Sequence, residues 1–187
     1  MQRTGGAGAR PSTQSQEAGP QVALLADTHG YLDPRIADVV RECDLAVHAG
    51  DIGGAPVIRA MRPRAGRVVA VRGNNDSPRS WGADGRAALS ALPEEAHLDL
   101  PGGRIVVVHG DRVTPAARRH ERLRRLYGDA RAVVYGHSHR LVCDCETLPW
   151  VLNPGAAGRA RTFGGPSCLV LDARRDSWRV RVLRFPP

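Results

Sequence analysis

Five places in the chain put an aspartate, asparagine or histidine directly after a short apolar run. They are Asp27-Thr28-His29 after QVALLA, Gly50-Asp51 after DLAVHA, Gly73-Asn74-Asn75-Asp76 after RVVAV and Arg72, His109-Gly110-Asp111 after RIVVV, and Gly136-His137-Ser138-His139 after AVVY. These residue types share one chemistry: they offer lone pairs on oxygen or imidazole nitrogen, and such donors hold divalent cations. Asp27 and Asp51 are carboxylates, His29, His109, His137 and His139 are imidazoles, and Asn74 adds a neutral amide oxygen. Cysteine is missing from the set, and mixed nitrogen and oxygen donors suit Mn, Fe or Zn rather than a sulfur-rich structural zinc. Seven side chains are too many for one ion and about right for two that share a carboxylate. Two cations roughly 3.5–4 Å apart form a clamp suited to phosphoryl chemistry.

Taken singly, each motif is ordinary: a lone His109 reads as a core histidine, and Gly-Asp after a strand reads as a turn. Their shared position is what counts. In α/β folds ligands bind at the carboxyl ends of strands, and here five successive strands deliver a polar donor at that end. A glycine accompanies each, which permits close backbone approach. His48 is either a partner of these residues or a core histidine, and Asp76 and Asp111 either orient neighbours or cap turns. Tyr31 reads as packing, and His97 and His120 as surface positions.

The elements that must position these residues are legible in outline. QVALLA (21–26), DLAVHAGD (44–51) and RVVAV (67–71) read as buried strands. Between them, Asp33-Pro34 opens a helix over Pro34–Glu42, with Ile36, Val39 and Val40 at helical spacing, and 55–62 is helical too. This is the alternation of a parallel α/β unit. Residues 77–91 are polar with Gly82 and Gly85 and read as a loop with a short helix. AHLDL (96–100) and RIVVVHG (104–110), joined by Pro101-Gly102-Gly103, form a hairpin. Residues 114–127 are an amphipathic helix and 132–136 a further buried strand. LVCDCE (141–146), PWVLN (149–153), SCLVLD (167–172) and WRVRVLRF (178–185) form an antiparallel section. The expected fold is α/β, two packed mixed β-sheets flanked by helices.

With 187 residues the chain suits one domain, over 21–187, preceded by a polar Gly/Ser/Gln-rich segment at 1–20 that is expected to be disordered. That segment lacks the apolar core of a secretory signal; a transit peptide is its second reading. No apolar run approaches the ~20 residues of a membrane span, so a cytoplasmic location and no membrane partner are expected. The formal net charge is +8, and every basic side chain is arginine. Codon bias in a GC-rich genome explains this, and attraction to phosphate-bearing ligands is compatible with it. The one dense run, RRHERLRR at 118–125, reads as the wet face of a helix. With no stacking platform or RNP-like strand, no specific nucleic-acid binding is expected. Cys43, Cys143, Cys145 and Cys168 complete no zinc motif.

With these residues in hand, the chain resembles the calcineurin-like metallophosphoesterases. The resemblance runs in order through Asp27-x-His29, Gly50-Asp51, Gly73-Asn74-x-Asp76, His109-Gly110 and Gly136-His137-x-His139, and covers about 21–183. Asn153-Pro154-Gly155 is similar to the small single-domain bacterial and archaeal phosphodiesterases. The resemblance implies a four-layer αββα fold and two divalent ions, manganese first, with iron, zinc, nickel or cobalt as alternatives. It implies Asp27, His29 and His139 at one ion, Asn74, His109 and His137 at the other, and Asp51 as the bridge. It implies in-line attack on phosphorus by a hydroxide shared between the ions. Many phosphatases of the family carry histidine, the leaving-group acid, at the position of Asn75. An amide cannot donate that proton but can contact a phosphate oxygen, with Asp76 supporting it. Diesters are therefore expected over monoesters, with a small phosphodiester as substrate and homo-oligomers compatible. The competing readings are a non-catalytic scaffold of the same fold, a phosphomonoesterase, and a nucleotide or dinucleoside polyphosphate hydrolase.

Overall fold

The computed structural model describes residues 19–187. The segment expected to be disordered therefore lies, up to residue 18, outside the described residues. From Pro20 the chain enters β1 (Gln21–Leu25), then α1 (Pro34–Glu42), β2 (Leu45–His48), α2 (Ala55–Ala60) and β3 (Arg67–Ala70). α1 begins where the sequence places it: the Asp33 carboxylate accepts from the Arg35 backbone N–H at 2.9 Å, and Pro34 fills the first turn. Ile36 and Val40, four apart, are its buried stripe.

α3 (Pro78–Ala91) follows, then β4 (Glu95–Leu100), β5 (Gly103–Val108), a 3₁₀ turn at Ala116–Arg118 and α4 (Arg119–Leu126). The chain closes with β6 (Ala132–Tyr135), β7 (Val142–Asp144), β8 (Trp150–Asn153), β9 (Ser167–Ala173) and β10 (Trp178–Arg184). Two five-stranded sheets result, ordered β10-β9-β1-β2-β3 and β4-β5-β6-β8-β7. Both are mixed: β1, β2 and β3 run parallel, as do β5, β6 and β8, while β9, β10, β4 and β7 add antiparallel edges.

The alternation within single strands builds the layers. Val22, Leu24, Val47, Leu98, Ile105, Val107, Val134, Leu152, Leu169 and Leu171 fill the space between the sheets. The intervening Ala23, Leu25, Ala46 and Val170 pack outward on Ile36, Val40, Val57, Trp81 and Leu89 of α1, α2 and α3. On the other sheet Val106, Val133 and Val151 pack outward on Leu123 of α4. Strands covered on both faces are apolar at every position, which is why their sequences run as continuous apolar stretches. The four-layer αββα arrangement agrees with expectation.

Two local expectations change. Residues 78–91 are helical throughout except at Gly82 (φ 66°), where the helix kinks. Ser77 and Ser80 form a reciprocal capping box, and Trp81 and Leu89 are buried against the first sheet. Tertiary burial thus stabilises a helix that its polar, glycine-bearing sequence only half declares. The helix expected over 114–127 is shorter, a 3₁₀ turn followed by α4. No helix among the described residues is long and apolar enough to cross a membrane.

Candidate metal centre

The carboxyl ends of β1, β2, β3, β5 and β6 meet at one edge of the sandwich. Short backbone bonds lock the loops that leave them: Asp27 N–H to Gly50 O at 3.0 Å, His29 N–H to Asp51 O at 2.9 Å, and Gly136 N–H to His109 O at 3.1 Å. Glycine is obligatory at the tightest approach, since a Cβ on Gly73 would fall 2.2 Å from both the backbone nitrogen and Oδ1 of Asp51. Among the described residues seven non-glycine positions have left-handed backbone, and five are Asp27, His29, Asp51, His137 and His139. A residue other than Gly in this region costs of order 1–3 kcal/mol, and such strain clusters where a site is over-determined by its surroundings.

All seven sequence-predicted donors converge. His29 Nε2 and His139 Nε2 are 3.0 Å apart, and His139 Nε2 is 3.6 Å from Asp27 Oδ1. Asn74 Oδ1 lies 3.0 Å from His109 Nε2 and 2.9 Å from His137 Nδ1. Asp51 Oδ2 lies between the two groups, 3.8 Å from His29 Nε2 and 3.4 Å from His109 Nε2, the place a shared carboxylate must take. Two clusters, Asp27/His29/His139 and Asp27/Asp51/His109, could each hold a metal ion.

The donor set fits divalent cations on independent grounds. Asp27 Oδ2 is buried with no hydrogen-bond partner, an unfavourable state unless a cation faces it. His109 Nδ1 donates to Ala49 O at 2.8 Å and His139 Nδ1 donates to Ala160 O at 3.0 Å. In the neutral ring, each backbone carbonyl therefore leaves the lone pair of the other ring nitrogen facing the centre, as in orienting partners of metal-bound histidines.

Electrostatics point the same way. Burial, reinforced by the charge of Asp51, pushes the Asp27 carboxyl up to about 7 against the opposing pull of His109. Burial acts on Asp51 in the same sense, but hydrogen bonds from His109 and Asn75 and the His109 charge override it and hold Asp51 below the usual carboxylate range. Burial pulls His139 down to about 4, helped by Arg161 and His29, and lowers His29 and His137 as well. The shifts keep those three imidazoles neutral near pH 7, the form that can offer a lone pair to a cation. His109 goes the other way: burial lowers it, but its bond to Asp51 prevails and raises it.

Asn75 and Asp76 support this centre. Asn75 donates its backbone N–H to Asp51 Oδ1 at 2.8 Å and its side-chain amide to Asp51 Oδ2 at 2.6 Å. The second amide proton is free for another acceptor. Asp76 is buried and accepts from the backbone N–H groups of Ile52, Gly53 and Gly73 and from Trp81 Nε1, at 2.8–3.1 Å. It ties the Asp51 loop, the Asn74 loop and α3 together. Asp76→Asn turns an amide donor toward N–H groups and leaves buried donors unpaired, so we expect a loss of about 2 kcal/mol. The thermal midpoint should fall by about 4–8 °C in calorimetry with the metal stoichiometry unchanged, because Asp76 supplies no ligand atom.

His48 is fully buried, outside the donor cluster. Its Nε2 lies 2.9 Å from Thr28 Oγ1, which in turn donates to Ile52 O, and burial pulls its pKa down to about 4. It is a neutral brace between the loops after β1 and β2. His97 is exposed and meets Glu95, His120 meets Tyr135 OH at 2.7 Å, and the Arg159 guanidinium covers the Tyr31 ring. Asp111 lines a cavity of about 420 Å³ on the His109 flank, together with Asn74, Arg72, Arg112, Glu94 and Tyr127. A shallower cleft on the His29 flank is lined by His29, Gly53, Asn75, Ser80 and Arg161.

The sequence profile of the calcineurin-like phosphoesterase superfamily domain matches residues 21–176, a span that holds every one of these donors. The chain belongs to that superfamily. No curated protein matches it in sequence. Among solved structures it is similar to Vps29 of Entamoeba histolytica in complex with Zn²⁺, at 18% identity and a TM-score of 0.65, covering 89% of this chain and 98% of that one. A predicted phosphoesterase of Streptococcus pneumoniae gives 21% identity and a TM-score of 0.63 over 89% and 90% of the two chains. An archaeal phosphodiesterase gives 21% identity and a TM-score of 0.62 over 87% and 99%. At these identities the likeness is one of fold.

One residue that reaches the centre has no signal in the sequence. Arg161, in the loop between β8 and β9, donates to His139 Nε2 at 3.0 Å. It is one of many scattered arginines and follows no strand of the α/β core, so only the folding back of its loop reveals it.

Proposed function

We propose that this chain is a dinuclear, divalent-metal-dependent phosphodiesterase acting on small phosphodiesters, with Mn²⁺ as the first candidate metal. The convergence of all seven donors, with the rings of His109 and His139 oriented by backbone carbonyls, carries the reading. Asp27, His29 and His139 would hold one ion, Asn74, His109 and His137 the other, and Asp51 would serve both. Bound cations would lower the pKa of water toward neutrality and neutralise charge on the phosphate oxygens.

The remaining work falls to the chain. Asn75 fixes both oxygens of Asp51, so the shared carboxylate cannot rotate away. Its second amide proton would offer a phosphate oxygen a neutral donor, a preorganised contact of the kind that stabilises developing charge. It cannot protonate a leaving group. A missing general acid costs ~10²–10⁴-fold with a poor leaving group and less with a good one. The centre also opens on two flanks, the Arg72-lined cavity and the Arg161-lined cleft. That leaves room for two substituents on one phosphorus, as a diester requires. The archaeal phosphodiesterase among the structural neighbours agrees with this preference.

Vps29 among the neighbours makes a metal-binding scaffold the competing reading. The test is hydrolysis of bis-p-nitrophenyl phosphate against p-nitrophenyl phosphate by metal-free protein reloaded with Mn²⁺. We expect the diester to have the higher kcat/KM. A monoester preference would overturn the diesterase assignment. Two bound ions with no turnover of either ester would favour the scaffold.

A further inference from the structure

Arg161 stands outside the ligand set and is nonetheless built into the centre. Its backbone is left-handed (φ 53°), like that of five of the donors. Its guanidinium donates to the Nε2 lone pair of His139, the lone pair a cation beside Asp27 and His29 requires. A guanidinium has no lone pair and cannot be a ligand, so metal and Arg161 exclude one another at that nitrogen, and their like charges repel. Loading the centre must move the Arg161 side chain.

The loop itself has nowhere to go. Ala157 N–H donates to Ala26 O at 2.9 Å, and Asp33 N–H donates to Ala157 O at 3.0 Å. A Cβ on Gly158 would fall 2.4 Å from Thr28 O, and Ala160 O is held by His139. The exposed side chain of Arg161 is what remains free, and the cleft it already lines, beside His29, Gly53, Asn75 and Ser80, is open to it. Asn75, whose amide has a second proton besides the one given to Asp51, lines the same cleft. A planar cation and a neutral donor flanking one opening recognise a phosphate group, for which the guanidinium fork is suited.

We propose that Arg161 is a substrate-binding residue: on metal loading it leaves His139 and grips a non-bridging oxygen of the substrate phosphate from the His29 flank. The assignment rests on the phosphoesterase reading above. The experiment compares Mn²⁺-loaded wild type, Arg161→Ala and Arg161→Lys. Three quantities are read: kcat and KM on bis-p-nitrophenyl phosphate, calorimetric affinity for inorganic phosphate, and the number of Mn²⁺ ions bound.

For Arg161→Ala we expect kcat/KM and phosphate affinity to fall together by about 10- to 100-fold, the range of a charge-assisted bond. The ion count should be unchanged, because the removed group competes with metal rather than binding it. Arg161→Lys, which keeps the charge and loses the fork, should recover part of both. Effects within twofold on both quantities, or loss of an ion in Arg161→Ala, would overturn the proposal and leave the phosphodiesterase reading intact. If wild type turns over neither ester, the functional reading fails, and phosphate binding still decides Arg161. Tenfold weaker binding in Arg161→Ala sustains its role; equal affinity, or no phosphate binding to loaded wild type, overturns it.

Discussion

Asp51→Asn should reduce kcat/KM for bis-p-nitrophenyl phosphate by at least about a thousandfold, the scale on which single preorganised charge contacts act in hydrolytic centres. Asp51 Oδ2 lies within 4 Å of donors on both sides, 3.8 Å from His29 Nε2 and 3.4 Å from His109 Nε2. An amide there keeps the shape and loses the charge that two cations would share. We therefore expect Mn²⁺ titration to find fewer ions than in wild type. The fold should survive. Asn75 N–H keeps an oxygen to donate to, and the Asn75 side chain meets the new amide by turning its own oxygen toward it. Removing the Asp51 charge also relieves Asp27, which that charge helps to push up. The metal-free variant should melt at the wild-type temperature or above it. A variant within tenfold of wild type in kcat/KM, still binding two ions, would refute the bridging role.

Much of this centre was open to reading in the sequence, because strand termini and donor types coincide. A buried strand declares itself by an apolar run, and Asp27, Asp51, Asn74, His109 and His137 each end one. The first helix was equally plain, since Asp33-Pro34 is a cap with a mechanism and Ile36 and Val40 give the period. What stayed hidden depends on contacts between distant segments. α3 is stabilised through Trp81, whose indole bonds to Asp76 and whose ring lies in the core under α1 and α2. The polar composition of 77–91 carries no trace of that.

The same holds at finer scale. Nothing in the order of residues says that β8 pairs with β6 and leaves β7 at the edge. Nor does it say that Asn75 would fasten onto Asp51. The left-handed backbones of His29, His137 and His139 run against their intrinsic preference. Local preference gave way at the residues that converge on the centre, which is where functional strain is expected.

Metal removal should change both stability and its response to pH. In the metal-free protein the Asp27 carboxyl, at about 7, lies above its unfolded value of ~4. This raised carboxylate contributes stability that is fully present below about pH 4 and is lost as pH rises through about 7. His48 and His139, both pulled down to about 4 from an ordinary ~6.5, act oppositely. Their contribution is present above about pH 6.5 and lost as pH falls through about 4. Two histidines outweigh one aspartate below about pH 6.5, so metal-free protein should gain stability up to there and lose some between about 6.5 and 8. Mn²⁺ should reverse the upper limb, because a cation held by Asp27 would replace the proton that Asp27 otherwise retains. At a hundredfold excess over its dissociation constant one ion adds ~2.7 kcal/mol, or about 5–10 °C in a chain of this size. Each displaced proton weakens apparent metal affinity about tenfold per pH unit below 7. The Mn²⁺-induced rise in melting temperature should therefore shrink at pH 5.5 to about a third of its value at pH 7.5. Scanning calorimetry with and without Mn²⁺ at the two pH values measures it, with EDTA restoring the metal-free transition. In Asp27→Asn the difference between the two pH values should narrow. An equal rise at both pH values in wild type would mean that Asp27 gives up no proton to the metal, and the orphaned Asp27 Oδ2 would then need another partner.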